Sequence, residues 1–323
     1  VDRRFIFNDA EKDRFVALLR ECEQFCRVRV LTYCILSNHF HLLVEVPKRP
    51  DVLPTPDQIL EDLQRLSGHQ FPGAVRQRFQ MYRDAGDHDG LAQYLATFHA
   101  RLYDLSAFMK LLKQRFTQWY NGRQGRRGTL WEERFKSVLV EGAGDALVTM
   151  ATYIDLNPVR AGIVKDPKDY RWSGYAEALA GRKPARAGLQ FLVTALRRGR
   201  EESVSRSLET YRQQLYLDGD ERREAVRPDG RLERGALRAE EVARVLAAKG
   251  RLPVSEYLKC RVRYFSDGLV LGGREFVEGI FQSHRKRFGA QRKTGARVMR
   301  GLADRALFTV RDLKLQVFGA PGG

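Results

Sequence analysis

A chain of 323 residues with 57 Lys and Arg against 40 Asp and Glu carries a formal charge of +17, and is longer than one hydrophobic core usually serves. At 43% apolar and 30% charged it has the material for a sizeable core, which excludes a disordered chain. A membrane span needs about 18 consecutive apolar residues, whereas the run at residues 30–36 is already broken by Thr32 and Tyr33, so no membrane partner is expected.

Asn8 or Asp9 is placed to cap a helix running to about Phe25, with Phe15, Leu18, Leu19 and Cys22 on one face. Residues 27–36, rich in Val, Tyr, Ile and Leu, predict a strand. Ser37-Asn38 turns the chain into a second strand over residues 39–46, closed by Pro47, so the two form a hairpin. Thr55-Pro56 opens a helix to about Leu66, because Pro suits the first helical position. A short helix is expected within residues 68–90, a helical region over 91–121, and a strand over 135–140. Asp145 is expected to cap a helix that must stop at Pro158, since Pro disfavours helix in the residue before it. Tyr170-Arg171-Trp172-Ser173 reads as a packed loop. After Gly181-Arg182-Lys183-Pro184 the composition shifts, which puts a domain boundary near Pro184. Residues 189–323 read as mostly helical, with charged breaks near 218–223 and 227–234.

Excess Lys and Arg favours polyanions through counterion release, independently of sequence. Residues 261–323 hold 13 basic and 5 acidic side chains, with Arg285, Lys286, Arg287, Arg292, Lys293, Arg297 and Arg300 following an amphipathic stretch. A second cluster, Arg123, Arg126 and Arg127, sits in a Gly-rich turn behind Phe116, Trp119 and Tyr120. Those rings have the chemistry to stack bases, although helical spacing equally suits a core. The four cysteines make no disulfide scaffold: Cys22 and Cys26 lie one helical turn apart, while Cys34 and Cys260 stand alone. No zinc spacing is completed, which predicts reduced, buried thiols in a cytoplasmic protein.

Two short motifs carry chemistry. In Asn38-His39-Phe40-His41 on a strand, residues two apart share a face, so His39 and His41 point together while Phe40 points to the opposite layer. Two neutral imidazoles side by side suit a divalent metal; two partly exposed histidines on a sheet are the plainer alternative. In Tyr153-Ile154-Asp155-Leu156-Asn157-Pro158-Val159-Arg160, the helical wheel puts Leu147, Met150, Ala151 and Ile154 on the buried face. Tyr153 lies well off that face, about 100° around from Ile154, with Asn157 one turn further on. Tyr is a nucleophile where something stabilises the developing charge. Otherwise it is a half-buried ring with a hydrogen-bonded hydroxyl, and Asn157 is a helix stop.

The order of four motifs adds to this reading. Ser37-Asn38-His39-Phe40-His41-Leu42-Leu43-Val44, Trp131-Glu132-Glu133-Arg134-Phe135, Tyr153-Ile154-Asp155-Leu156-Asn157-Pro158-Val159-Arg160-Ala161-Gly162 and Tyr170-Arg171-Trp172-Ser173-Gly174-Tyr175 together resemble the REP-associated tyrosine transposases, the single-tyrosine branch of the HUH endonuclease superfamily. The resemblance spans residues 1–180 or so; the remainder, with Gly272-Gly273-Arg274-Glu275-Phe276-Val277 and the basic tail, looks more loosely like the extension of longer members. It implies an α+β protein: a ferredoxin-like antiparallel sheet with helices over residues 1–184, then a mostly helical basic extension over 185–323. The family's first strand normally lies just upstream of Val1, and residues 48–104 are long for a compact member, a helical insertion. By the same resemblance Tyr153 is the nucleophile, and His39, His41 and Asn157 hold Mg²⁺ or Mn²⁺. The activity implied is cleavage and rejoining of single-stranded or hairpin DNA through a 5′-phosphotyrosine, by a monomer or homodimer. Arg123, Arg126, Arg127 and Arg134, with Arg285, Lys286, Arg287, Arg292 and Lys293, are the expected DNA contacts. A DNA-binding regulator that has lost catalysis, and a nuclease using water, remain as alternatives.

Overall fold

A computed structural model describes residues 6–67, 72–197, 199–216, 264–299 and 307–311. Cys260, Arg300 and the charged breaks near 218–223 and 227–234 lie outside the described residues. The described part is a mixed α and β structure in which helix dominates and the sheets are small. Its chain divides into two compact units, residues 1–30 with 44–135, and residues 31–43 with 136–323.

The first unit is helical. Helix α1 (Asp9–Cys26) starts where the Asn8 side chain accepts a hydrogen bond from the Glu11 amide, and it ends at Arg27, whose φ of 55° leaves the helical region. It packs along α5 (Leu105–Gln124) through an aromatic centre in which Phe7 lies 5.1 Å from Phe116 and Phe15 lies 5.2 Å from it, ring to ring. Helices α2 (Pro56–Ser67), α3 (Pro72–Asp84) and α4 (His88–His99) fill the stretch expected to be a helical insertion. Thr55 and Gln58 cap α2 reciprocally: the Gln58 amide donates to Thr55 Oγ1 and the Thr55 amide to Gln58 Oε1. The single helical region expected over 91–121 is broken. Tyr103 takes φ 58° and donates its amide to the Cys26 carbonyl, and Asp104 then caps a new helix by accepting from Ala107 N at 2.6 Å. Cys22 and Cys26 are buried free thiols pushed up to about 12 chiefly by burial, which leaves them protonated and inert.

Strands β1 (Arg29–Ile35) and β2 (Phe40–Glu45) form the expected hairpin, closed by the Leu36 amide donating to the His39 carbonyl at 2.8 Å. Four intervening residues permit only an antiparallel pair. The hairpin tip, residues 31–43, belongs to the second unit. There the far edge of β1 is met by a strap: Cys34 bridges Ser173, the Ile35 amide donates to the Trp172 carbonyl, and the Tyr170 hydroxyl donates to the Ile35 carbonyl at 2.6 Å. Ser173 then caps α8 (Gly174–Leu179), and α9 (Lys183–Leu196) and α10 (Val204–Tyr216) follow.

Two glycines let the helices of this unit touch β1 backbone to backbone. A Cβ on Gly174 would sit 2.8 Å from Thr32 Cα, and one on Gly188 would sit 2.5 Å from the Leu31 carbonyl oxygen. Residue 184 is therefore no boundary between compact units. Leu189, Leu192 and Val193 of α9 share one core with Leu31, Cys34 and the helix carrying Tyr153.

Among the described residues after α10, helix alternates with short strands rather than running on as expected. Beside α11 (Tyr264–Asp267) and α12 (Arg274–Ser283) this region supplies β4 (Val270–Gly272), β5 (Arg297–Val298) and β6 (Phe308–Thr309). With β3 (Leu139–Val140), all that forms of the strand expected over 135–140, these make a sheet in the order β3-β4-β6-β5. Leu139 and Val140 pair parallel with Val270 and Leu271, and the other neighbours are antiparallel.

Candidate active site

Helix α6 (Gly144–Asp155) carries the tyrosine. Asp145 was expected to cap it; instead Ala143 holds the cap position without a side-chain bond, and Asp145 lies in the first turn. The helix does end before Pro158, but a second helix, α7 (Asn157–Arg160), starts at once with that Pro in its first turn, where no amide hydrogen is needed. Every residue from Ala146 to Asp155 is buried, so beyond its first two residues α6 has no solvent face, and Tyr153, expected well off the buried face, is only 4% exposed.

The Tyr153 ring packs 4.4 Å from Phe265, centroid to centroid, and meets the His41 ring edge-on at 6.1 Å; His41 in turn lies 5.1 Å from His39. His41 at the start of β2, His39 in the turn just before the strand, and Tyr153 on α6, more than a hundred residues apart in sequence, thus come together through the His41 ring. The Tyr153 hydroxyl makes no hydrogen bond among the described residues, and its oxygen, unlike Arg160 Nε, is not among the unpaired atoms shut off from solvent.

The two histidines differ. His39 is exposed, and its Nδ1 lies 2.7 Å from Asn38 Oδ1; the tautomer that donates there leaves Nε2 as a lone-pair donor. His41 is half-buried, and burial, reinforced by the neighbouring His39 and Arg160, pulls its imidazole down to about 3. A neutral imidazole is the form that ligates a cation. The pair therefore fits the role of metal ligands.

Asn157 fits it less well. Its Nδ2 donates to the Tyr153 carbonyl at 2.9 Å and the Ile154 carbonyl at 3.3 Å, and its Oδ1 accepts from Arg160 Nη1 at 3.2 Å. The amide oxygen already faces a cation. Among the described residues, no three His, Cys, Asp or Glu side chains gather in a way that would hold a metal ion.

Two neighbours were not singled out from the sequence. The Arg160 guanidinium carbon lies 4.3 Å above the Tyr153 ring centroid. Asp155, fully buried, accepts from Thr32 Oγ1 at 2.7 Å, Tyr211 Oη at 2.6 Å and the Tyr175 amide at 3.3 Å, tying β1, α10 and α8 to the end of α6. Burial raises its carboxyl to about 6, the three hydrogen bonds opposing that rise.

The basic residues fall into three groups. In the first unit, Arg123 approaches Glu11 at 4.0 Å and lies over Trp119, and Arg126 lies over Tyr120 at 5.9 Å, while Arg127 is exposed. Arg134 is exposed and lines a groove of about 700 Å³ with Lys110, Lys113, Trp131 and Phe135. In the second unit Arg285 and Arg292 spend their donors on backbone carbonyls, Arg285 on those of residues 288–290 and Arg292 on those of Thr294, Gly295 and Val310. Both also stack on Phe281, so they hold the C-terminal turn together. Lys286, Arg287 and Lys293 are exposed.

Comparison with protein-family profiles, with curated proteins and with solved structures finds no match to this chain. No described helix is long and apolar enough to cross a membrane.

Proposed function

We propose that the chain cleaves and rejoins single-stranded or hairpin DNA, with Tyr153 as nucleophile and His39 and His41 holding Mg²⁺ or Mn²⁺. One observation carries this reading: a phenol with no hydrogen-bond partner among the described residues lies edge-on to one of two adjacent imidazoles. In the ferredoxin-like transposase domain that the motif order resembles, the same residue types fill these roles. The phenol oxygen attacks phosphorus, a P–O bond to Tyr153 forms, the bond to the 3′-oxygen breaks, and that oxygen leaves with a proton as a free 3′-OH. The covalent 5′-phosphotyrosine conserves the bond for transfer to a second end. A divalent cation, when bound, polarises a non-bridging phosphate oxygen. His39 and His41 orient that chemistry, and the packing of the Tyr153 ring against Phe265 and His41 holds the phenol in place.

A labelled oligonucleotide incubated with Mn²⁺ should yield an alkali-stable protein–DNA adduct, and Tyr153→Phe should abolish it. Cleavage without trapped protein, unaffected by Tyr153→Phe, would instead mean that water is the nucleophile. A second reading, a DNA-binding regulator without catalysis, draws support from the engagement of the Asn157 amide, which leaves two ligands rather than three. It expects metal-independent binding and no adduct.

A further inference from the structure

Arg160 is the only Lys or Arg between residues 144 and 164, where the other charges are Asp145 and Asp155. Its guanidinium is held from two sides. The guanidinium lies over the Tyr153 ring, and Nη1 donates to Asn157 Oδ1, whose own amide group is fixed by the Tyr153 and Ile154 carbonyls. The opposite edge is unused: Nε is buried without a hydrogen-bond partner, and Nη2 makes no hydrogen bond among the described residues. A buried donor on a cation costs more to leave unpaired than a neutral one. An Nε–H and Nη2–H side by side form a two-donor fork, which matches two oxygens of a phosphate or carboxylate. The fork belongs to the side chain that touches the proposed nucleophile, which favours phosphate.

We infer that Arg160 is the phosphate-binding residue of this site, donating through Nε and Nη2 to non-bridging oxygens of the phosphodiester presented to Tyr153, and that Asn157 is its positioning residue rather than a metal ligand. The inference rests on the DNA-cleaving reading for the identity of the phosphate, and it adds the group that holds it. In the displacement, the Tyr153 O–P bond forms as the P–O3′ bond breaks, and the guanidinium faces the charge that gathers on the non-bridging oxygens.

The test uses the full chain carrying Tyr153→Phe, which keeps an aromatic face for Arg160, with a short fluorescent single-stranded oligonucleotide in EDTA. Arg160→Ala should weaken binding about tenfold, the low end for a hydrogen bond to a charged group. It should also make the dependence of log affinity on log salt shallower by about 0.7, one phosphate on a single strand. Arg160→Lys should restore the slope but not the affinity, because a point charge lacks the fork. Asn157→Ala should weaken binding, and adding it to Arg160→Ala should weaken it no further. Mn²⁺ binding, read by electron paramagnetic resonance, should fall in His41→Ala and stay at the parent level in Asn157→Ala. Should Arg160→Ala fail to fold by circular dichroism, Arg160→Gln carries the slope measurement. An unchanged slope in the folded neutral variant, or a loss of Mn²⁺ affinity in Asn157→Ala equal to that in His41→Ala, overturns the assignment. Absence of a covalent adduct in the unmutated chain would sink the strand-transfer reading alone, because the slope is measured without cleavage.

Discussion

Asp155 and Arg160 stand five residues apart, the last residues of the consecutive helices α6 and α7, and the structure treats them oppositely. The Asp155 carboxylate is fully buried and accepts three hydrogen bonds, from β1, α8 and α10. The Arg160 guanidinium is half-exposed and keeps a buried Nε unpaired. Low dielectric makes each outcome consequential: a satisfied buried charge fixes the elements around it, and an unsatisfied one is a standing demand for a partner. The contrast separates the scaffold of the second unit from its chemistry.

The hardest way to break the contrast is Asp155→Ala. It leaves the Thr32 and Tyr211 hydroxyls and the Tyr175 amide buried without an acceptor, and should cost about 4 kcal/mol in urea unfolding, at 1–3 kcal/mol per orphaned group. A loss below about 1 kcal/mol would mean that the hub does not hold these elements.

The pH dependence sharpens the same point. With its carboxyl raised from 3.8 to about 6 in the fold, Asp155 binds its proton more tightly when native than when unfolded. Its contribution is therefore greatest below the unfolded value and is lost as pH rises through the native one, by about 3 kcal/mol. Against Asp155→Asn, the unmutated chain should lose stability between pH 4 and 6; parallel curves would contradict the burial of a titrating carboxylate.

Gly188→Ala probes the scaffold without charge. A Cβ there meets the Leu31 backbone, which has no side chain to move, so about 2 kcal/mol should be lost. The smallest effect belongs to the site itself. Tyr153→Phe removes a hydroxyl with no partner among the described residues and should change stability by less than about 0.5 kcal/mol while abolishing the adduct. A large loss of stability would show that the phenol is structural.

Much of this was legible beforehand. The amphipathic spacing of α1, the Thr55-Pro56 start of α2 and the β-branched runs of the hairpin each declare themselves within a few residues. The meeting of His39, His41 and Tyr153 followed from motif order, which no local periodicity supplies. The burial of Tyr153 was missed because a helical wheel assumes one wet face. The uncharged run from Ala146 to Ile154, flanked by Asp145 and Asp155, was the available sign of a helix buried all round. Strands of two or three residues carry no period, and β3 finds its partner β4 more than a hundred residues away, so the second sheet was invisible. The donors of Arg285 and Arg292 looked available from sequence because charge counts do not reveal which carbonyls a loop leaves open.

The strap of Tyr170 and Trp172 along β1 has a consequence for association. An uncovered strand margin is where foreign chains dock in register and fibrils begin. Here the Ile35 amide is already taken by Trp172, and the Ile35 carbonyl by the Tyr170 hydroxyl. An incoming strand would have to displace a phenol and a stretch of backbone before gaining its first rung, so this flank of the hairpin is protected from runaway self-assembly.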